Sequence, residues 1–192
     1  MRFRDVKKFE DVKPVLMDVN CTGPELVYFV LDQILTDRVW ANMTVLSAGF
    51  LGKEYPKTNG HYHKTTTTET YTVVHGKGIM QLQEKMFKDG QFVLNEVTEV
   101  YLVEVNSGEK IITPPNFGHS WSNVGNEPLV TYDDCVTGHE ANDYGPIQAQ
   151  HGFAYYLTEV DGKIVPVPNS NYKNLPVPVF LPAAEFNNQL GK

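Results

Sequence analysis

The sequence is poor in cysteine, in positive charge and in long apolar runs. Its 192 residues include two cysteines, Cys21 and Cys135, which lie far apart and outside any Cys-x-x-Cys spacing. The sequence therefore indicates free thiols, and neither a disulfide framework nor a thiolate zinc site. The formal net charge of −7 and the pI near 5.3 exclude a general attraction to nucleic acid or to an acidic membrane surface.

No segment resembles a membrane span or a secretory leader. No apolar run approaches the ~20 residues that would cross a bilayer, and residues 1–10 are charged and lack an apolar core. At 192 residues the chain is long enough to bury a sizeable core in one domain. We therefore expect a soluble, cytoplasmic, single-domain protein with no nucleic-acid or membrane partner.

Short segments rich in Val, Thr, Tyr and Ile, each bounded by Gly, Pro or Asn, follow one another from residue 41 onwards. This pattern predicts an all-β sandwich or barrel. Strands are expected at residues 43–47, 69–74, 79–83, 92–100, 101–105 and 110–113. Two Asp-Gly pairs, at 89–90 and 161–162, predict hairpin turns, because glycine tolerates positive φ and aspartate hydrogen-bonds its own turn.

The two ends of the chain differ from this β region. In residues 24–36 apolar side chains recur at a helix-like spacing after Pro24, which predicts one helix. Prolines at 166, 168, 176, 178 and 182 exclude a helix there and favour an edge strand or an extended arm. A single domain at 1–192 is thus expected to comprise an N-terminal arm and helix at 1–40, a barrel at 41–173 and a C-terminal extended arm at 174–192.

The candidate site begins with two histidines separated by one residue, His61 and His63, followed six residues later by Glu69. In an extended strand alternate side chains share a face, so both imidazoles project the same way and a hairpin return could bring Glu69 beside them. Neutral imidazoles and a carboxylate suit a borderline divalent ion such as Fe, Mn, Ni or Zn. The alternatives are a chance pair, or two rings on a solvated face.

Two segments extend this pattern. The first runs from Gly60 through the histidines and Glu69 to Gly76. The second contains Gly108, Pro114, Pro115, His119 and Asn123. Together they resemble the two motifs of the cupin superfamily, which supply two histidines and a glutamate, and then one more histidine. Three features depart from the superfamily pattern: Gly60 directly adjoins the first histidine, five residues separate His63 from Glu69, and Pro-Asn-Phe-Gly at 115–118 replaces Pro-x-Gly.

These departures bring the sequence closer to one branch, the cupin-type glucose-6-phosphate isomerases of archaea and some bacteria. That branch has a T-x-G-H-x-H opening, found here at residues 58–63, and a PP-x-x-x-H second motif, found at 114–119. The resemblance covers roughly residues 40–173. Where the branch reads GHDYG, three residues at 140–142 are inserted here between His139 and Asp143.

The resemblance implies an all-β cupin fold, a jelly-roll barrel with a short N-terminal helix and peripheral arms. It implies one divalent transition metal per subunit, with iron expected first and Mn, Ni or Zn as alternatives. The implied metal ligands are His61, His63, Glu69 and His119. The implied catalytic residues are Glu69, His139 and Tyr144. The implied substrate contacts are Thr44, Thr58, Gly60, Tyr71 and Tyr144. Without the resemblance, His119 would be an ordinary core histidine and the threonines ordinary strand residues.

The activity implied is that of an aldose–ketose isomerase of glycolysis and gluconeogenesis. It would interconvert glucose 6-phosphate and fructose 6-phosphate by hydrogen transfer between C1 and C2, and act as a homodimer. The sequence leaves open whether Glu69 removes the C2 proton or a hydride shifts directly. An iron-dependent cupin dioxygenase and a non-enzymatic sugar-binding cupin are the alternatives. The hydroxyl-rich side chains among the implied substrate contacts favour a phosphosugar over the substrate of a dioxygenase. The two remaining histidines, His75 and His151, are expected to be structural or exposed.

Overall fold

The computed structural model describes residues 1–32, 34, 41–64, 68–135 and 142–190. The strands of the N-terminal half are β1 Arg2–Lys8, β2 Leu26–Asp32, β3 Ala41–Leu46, β4 Tyr62–His63, β5 Glu69–His75, β6 Lys77–Lys88 and β7 Gln91–Asn106. The others are β8 Lys110–Thr113, β9 Phe117–Asn123, β10 Leu129–Cys135, β11 Asn142–Asp143, β12 Tyr155–Val160, β13 Lys163–Pro168 and β14 Val179–Pro182. The helices are α1 Phe9–Val12, α2 Gly145–Ala149 and α3 Ala183–Leu190, with a 3-10 turn at Lys13–Val15. The predicted all-β fold with a short N-terminal helix is confirmed.

Two sheets form the body of the fold. The larger has the strand order β1-β2-β3-β10-β5-β8 and the smaller β14-β7-β6-β9. Neighbouring strands are antiparallel except β14, which runs parallel to β7 at the edge. Buried Leu46 and Val73 of the larger sheet pack in one core with Met80 and Val103 of the smaller. The sheets therefore make a sandwich, because each buries its apolar face against the other.

Both Asp-Gly pairs turn hairpins, as predicted. Asp89 and Gly90 join β6 to β7 with φ of 52° and 76°, and Asp161 and Gly162 join β12 to β13 with φ of 49° and 71°. Positive φ at both central residues is the primed turn that matches the twist of a hairpin. The two strands predicted at 92–100 and 101–105 are one continuous strand, β7, because no turn residue separates them.

The helix predicted for residues 24–36 is wrong over 24–32, and residues 33, 35 and 36 of that prediction lie outside the described residues. Residues 26–32 form β2, which pairs with β1 on one edge and with β3 on the other. Leu26, Phe29 and Val30 belong to an unbroken run, Leu-Val-Tyr-Phe-Val-Leu, which fits a strand as well as a helix and has high β propensity. Hydrogen-bonding partners on both edges then decide for the strand. The short N-terminal helix is instead α1, where the Asp11 carboxylate accepts the Lys8 amide at 2.8 Å.

The proline-rich tail is extended only as far as its last proline. Strand β14 lies at a sheet edge, where a residue without an amide hydrogen is tolerated. Beyond Pro182 the extended arm predicted for 174–192 gives way to helix α3. Its good helix formers and its buried Ala183 and Phe186 favour that conformation. None of the helices within the described ranges is long and apolar enough to cross a membrane.

Asn123, at the end of β9, is a buried polar residue that hydrogen-bonds the backbone of two other segments. Its side-chain amide donates to the carbonyls of Leu46, Ser47 and Glu127 at 3.3, 3.0 and 2.8 Å, and its Oδ1 accepts the Gly125 amide at 3.0 Å. No accessible surface remains on this residue. Asn123 therefore joins the end of β3 to the loop before β10, which satisfies carbonyls that the sheets leave unpaired.

Candidate metal centre and substrate cavity

Four metal-capable side chains converge from three parts of the fold. His61 and His63 lie at β4, Glu69 begins β5, and His119 lies in β9. One donor atom from each lies within 4.8 Å of the others. Glu69 Oε2 lies 3.1 Å from His119 Nε2 and 3.4 Å from His63 Nε2. Glu69 and His119 are buried, with 0% and 2% of their surface exposed.

The backbone brings these side chains together. His61 and His119 form an antiparallel bridge in which each amide donates to the other's carbonyl, at 3.2 and 3.0 Å. The Lys85 ammonium donates to the His63 carbonyl at 3.2 Å and lies over the Tyr62 ring, 4.9 Å from its centroid. The backbone of His61 is thus hydrogen-bonded to β9, and that of His63 to a side chain of β6. These contacts hold both imidazoles beside Glu69.

The donor set fits a single divalent ion. Bonds of about 2.0–2.2 Å from a metal to nitrogen or oxygen place neighbouring ligand atoms roughly 3–4 Å apart. The donors are already near that spacing, so a small side-chain movement would bring all four onto one ion. Three imidazoles and a carboxylate suit a borderline ion such as iron, manganese, nickel or zinc.

A cavity adjoins this group. The substrate contacts implied by the sequence all line it, together with two of the histidines: Thr44, Thr58, Gly60, His61, Tyr71, His119 and Tyr144. His139 lies outside the described residues. The roles of these side chains stay predictions, but their placement in one cavity is a property of the fold. His75 and His151 lie elsewhere and are exposed, as expected.

Tyr71 links the cavity to the ligand group. Its hydroxyl lies 3.1 Å from His119 Nε2. Burial raises the pKa of Tyr71 well above its ordinary value, and the nearby carboxylates of Glu69 and Asp133 raise it further. The phenol therefore keeps its proton at neutral pH and can donate a hydrogen bond to an oxygen in the cavity.

Two other cavity residues are held by neighbours. The Tyr144 ring lies 5.3 Å from the His61 ring, centroid to centroid, and the Asn142 amide donates to the Tyr144 hydroxyl at 3.3 Å. The Thr58 hydroxyl accepts the Trp121 amide at 3.0 Å. Each of these hydroxyl oxygens therefore accepts a hydrogen bond from a neighbouring residue.

Sequence reasoning missed one side of the cavity. The additional lining residues are Arg4, Asp5, Tyr28, Val30, Asn42, Trp121, Asp133 and Asn142. Four of them lie on β1 and β2, a region interpreted from the sequence as an arm and a helix. The alternation of Tyr28 and Val30 was the available signal, because residues two apart on a strand share a face.

Fold and donor group together define an all-β sandwich with a candidate metal centre. The family model described as glucose-6-phosphate isomerase (GPI) matches residues 6–174. The chain belongs to this family, and the resemblance seen in its motifs is confirmed.

Curated relatives of this chain carry the same name as the family. The chain is 33% identical over 132 residues to "Glucose-6-phosphate isomerase" of Pyrococcus horikoshii, covering 68% of this chain and 63% of that protein. It is 32% identical over 131 residues to the protein of the same name from Thermococcus litoralis, covering 68% and 62%. The chain thus spans less than two thirds of these relatives' length. Among solved structures, the Drosophila melanogaster CENP-C cupin domain matches with a TM-score of 0.41 and 11% identity, over 64% of this chain and 80% of that one. A likeness this distant supports no functional argument.

Proposed function

We propose that this protein is a metal-dependent glucose-6-phosphate isomerase that interconverts glucose 6-phosphate and fructose 6-phosphate. Membership of the family and the names of the curated relatives support the reaction. One observation carries the metal dependence: the donors of His61, His63, Glu69 and His119 lie within 4.8 Å of one another beside a cavity. Iron is the proposed ion, with manganese, nickel and zinc as alternatives.

The reaction moves one hydrogen between C1 and C2 and shifts protons between two oxygens. An ion held by the four ligands would supply Lewis acidity toward the sugar's carbonyl oxygen. Glu69 has two compatible roles: it removes the C2 proton, which requires a pKa near neutrality, or it orients a hydroxyl proton while the hydrogen passes directly between carbons. Tyr71, which stays protonated, donates a hydrogen bond to a sugar oxygen in either case.

Other residues that line the cavity would bind the remainder of the sugar phosphate. Hydroxyls of Thr44 and Thr58 and the Gly60 amide are donors for phosphate oxygens. Tyr144, whose hydroxyl accepts the side-chain amide of Asn142, presents a polar tip beside the His61 ring. His139, which the family motif implies as a catalytic neighbour, is proposed on that resemblance alone.

Conversion of fructose 6-phosphate tests this function. Purified protein is expected to form glucose 6-phosphate without consuming oxygen, and to leave unphosphorylated fructose almost unconverted. Oxygen uptake on a small organic substrate, with no isomer formed, would contradict the isomerase and favour a dioxygenase. Simultaneous recording of product and dissolved oxygen separates the two reactions.

We also propose a homodimer acting in glycolysis and gluconeogenesis. Two of the edge strands, β1 of the larger sheet and β14 of the smaller, carry exposed apolar side chains that a second copy could cover: Phe3 on β1 is 67% exposed and Phe180 on β14 is 49% exposed. Light scattering at micromolar concentration is expected to give the mass of two chains, and a monomer mass would contradict it.

A further inference from the structure

Strand β1 contains an irregularity that changes the direction of one side chain. Phe3 pairs with Leu31, and Asp5 pairs with Val30, the next residue on β2. Arg4, between Phe3 and Asp5, is therefore an extra residue of β1 with no paired residue on β2. In a regular strand Arg4 and Asp5 would project to opposite faces. Here both line the substrate cavity, while Phe3 packs outside against another ring. A β-bulge re-aims side chains in this way and is common next to active sites.

Arg4 differs in charge from the other residues that line the cavity. Among the described residues that line it, Arg4 is the one Lys or Arg, whereas Asp5 and Asp133 contribute carboxylates. Lys7 compensates Asp5, since its ammonium lies 3.1 Å from Asp5 Oδ2. Asp133 accepts the Asn42 amide at 2.7 Å. A phosphate dianion in this cavity is stabilised most by a cation that contacts it directly.

The position of Arg4 suits that role. Its Nη1 donates to Asn42 Oδ1 at 3.3 Å. Asn42 and Thr44 are two residues apart on β3 and both line the cavity, so the guanidinium lies toward the side that carries the Thr44 hydroxyl. A guanidinium has five N–H donors in a planar fork that matches phosphate oxygens. Donors therefore remain for a ligand after the contact with Asn42.

We propose that Arg4 binds the phosphate group of the substrate and so selects a phosphorylated sugar over the free sugar. This rests on the isomerase function proposed above and adds a charged partner to the hydroxyls of Thr44 and Thr58. Those hydroxyls hydrogen-bond phosphate but also accept unphosphorylated polar groups. Arg4 supplies the charge that discriminates between the two.

Arg4→Met tests the proposal, with Arg2→Met as the matched control. Arg2 is on the same strand but pairs with Asp32 at 2.8 Å and does not line the cavity. Losing a charge-assisted hydrogen bond to phosphate is expected to raise KM for fructose 6-phosphate about 10- to 100-fold in Arg4→Met, with the loss on KM rather than on kcat. Competitive inhibition by inorganic phosphate should weaken in parallel. Arg4→Lys should recover part of the loss, and Arg2→Met should behave as wild type.

Calorimetric binding of fructose 6-phosphate keeps the two proposals distinguishable. Wild-type protein that binds the sugar phosphate without isomerising it would contradict the isomerase, and loss of that binding in Arg4→Met would still support the arginine's role. Equal affinity of wild type and Arg4→Met would overturn the role, whether or not wild type turns over. An equal loss in Arg2→Met would overturn it too, because the effect would then come from β1 as a whole.

Discussion

The double substitution His61→Ala, His63→Ala is expected to abolish stoichiometric binding of a divalent metal and to lower isomerase activity about 1,000-fold or more. Two of four converging donors are removed, which leaves Glu69 and His119 as a pair that cannot hold an ion tightly. Lewis-acid assistance contributes several kcal/mol to such a reaction, and each 1.36 kcal/mol is a factor of ten in rate. Metal content by mass spectrometry and kcat are the two readouts.

The matched control is His75→Ala. The His75 side chain is 54% exposed and contacts Glu127 at 3.0 Å, so its loss should leave metal content and activity unchanged. Circular dichroism of the double variant should still show a β protein, because these imidazoles are not part of the apolar core. A double variant that keeps one equivalent of metal and its activity would contradict the assignment of the ligands.

Gly60→Ala is expected to lower the free energy of unfolding by about 2–5 kcal/mol and to weaken metal binding. Gly60 has φ of +67°, a conformation that costs an alanine about 1–2 kcal/mol. A Cβ there would lie 2.2 Å from Phe153 Cε2, 2.8 Å from Ser120 Cβ and 2.9 Å from the His119 carbonyl oxygen. Overpacking of this kind adds about 1–3 kcal/mol. Relief requires a shift of the chain next to His61, which misplaces the ligand.

Gly90→Ala separates these two contributions. Gly90 also has positive φ, +76°, but a Cβ there would meet nothing within 4 Å. Chemical denaturation should therefore show a loss of about 1–2 kcal/mol for Gly90→Ala, from backbone strain alone. Equal losses in the two variants would contradict the close packing at Gly60, and unchanged metal affinity in Gly60→Ala would contradict its effect on His61.

Three of the four metal-capable residues were predictable from a local signal, and His119 was predictable from the family motif. His61 and His63 alternate on one strand, and a glutamate and a later histidine recur at motif spacing. The hairpins were equally local, since Asp-Gly pairs take positive φ whatever surrounds them. Gly60 could be picked out by its motif, but the reason for glycine there comes from Phe153, ninety-three residues away in sequence.

The cavity wall formed by β1 and β2 was not predictable in the same way. The spacing of apolar residues in 24–36 could not separate a helix from a strand. The strand forms because β2 pairs with β1 on one edge and with β3 on the other. The bulge that places Arg4 on the cavity depends on register against β2, which no local pattern encodes. Nothing in the sequence around Arg4 therefore indicated that its side chain lines the cavity.

The dependence of turnover on bound metal tests the central claim most directly. Protein stripped by exhaustive chelation is titrated separately with Fe, Mn, Ni and Zn while conversion of fructose 6-phosphate to glucose 6-phosphate is measured. We expect no turnover without metal, and a rise that saturates at one ion per chain for at least one of the four. Full activity of the stripped protein would contradict a metal-dependent isomerase. Stoichiometric metal binding without turnover by any ion would contradict the isomerase itself.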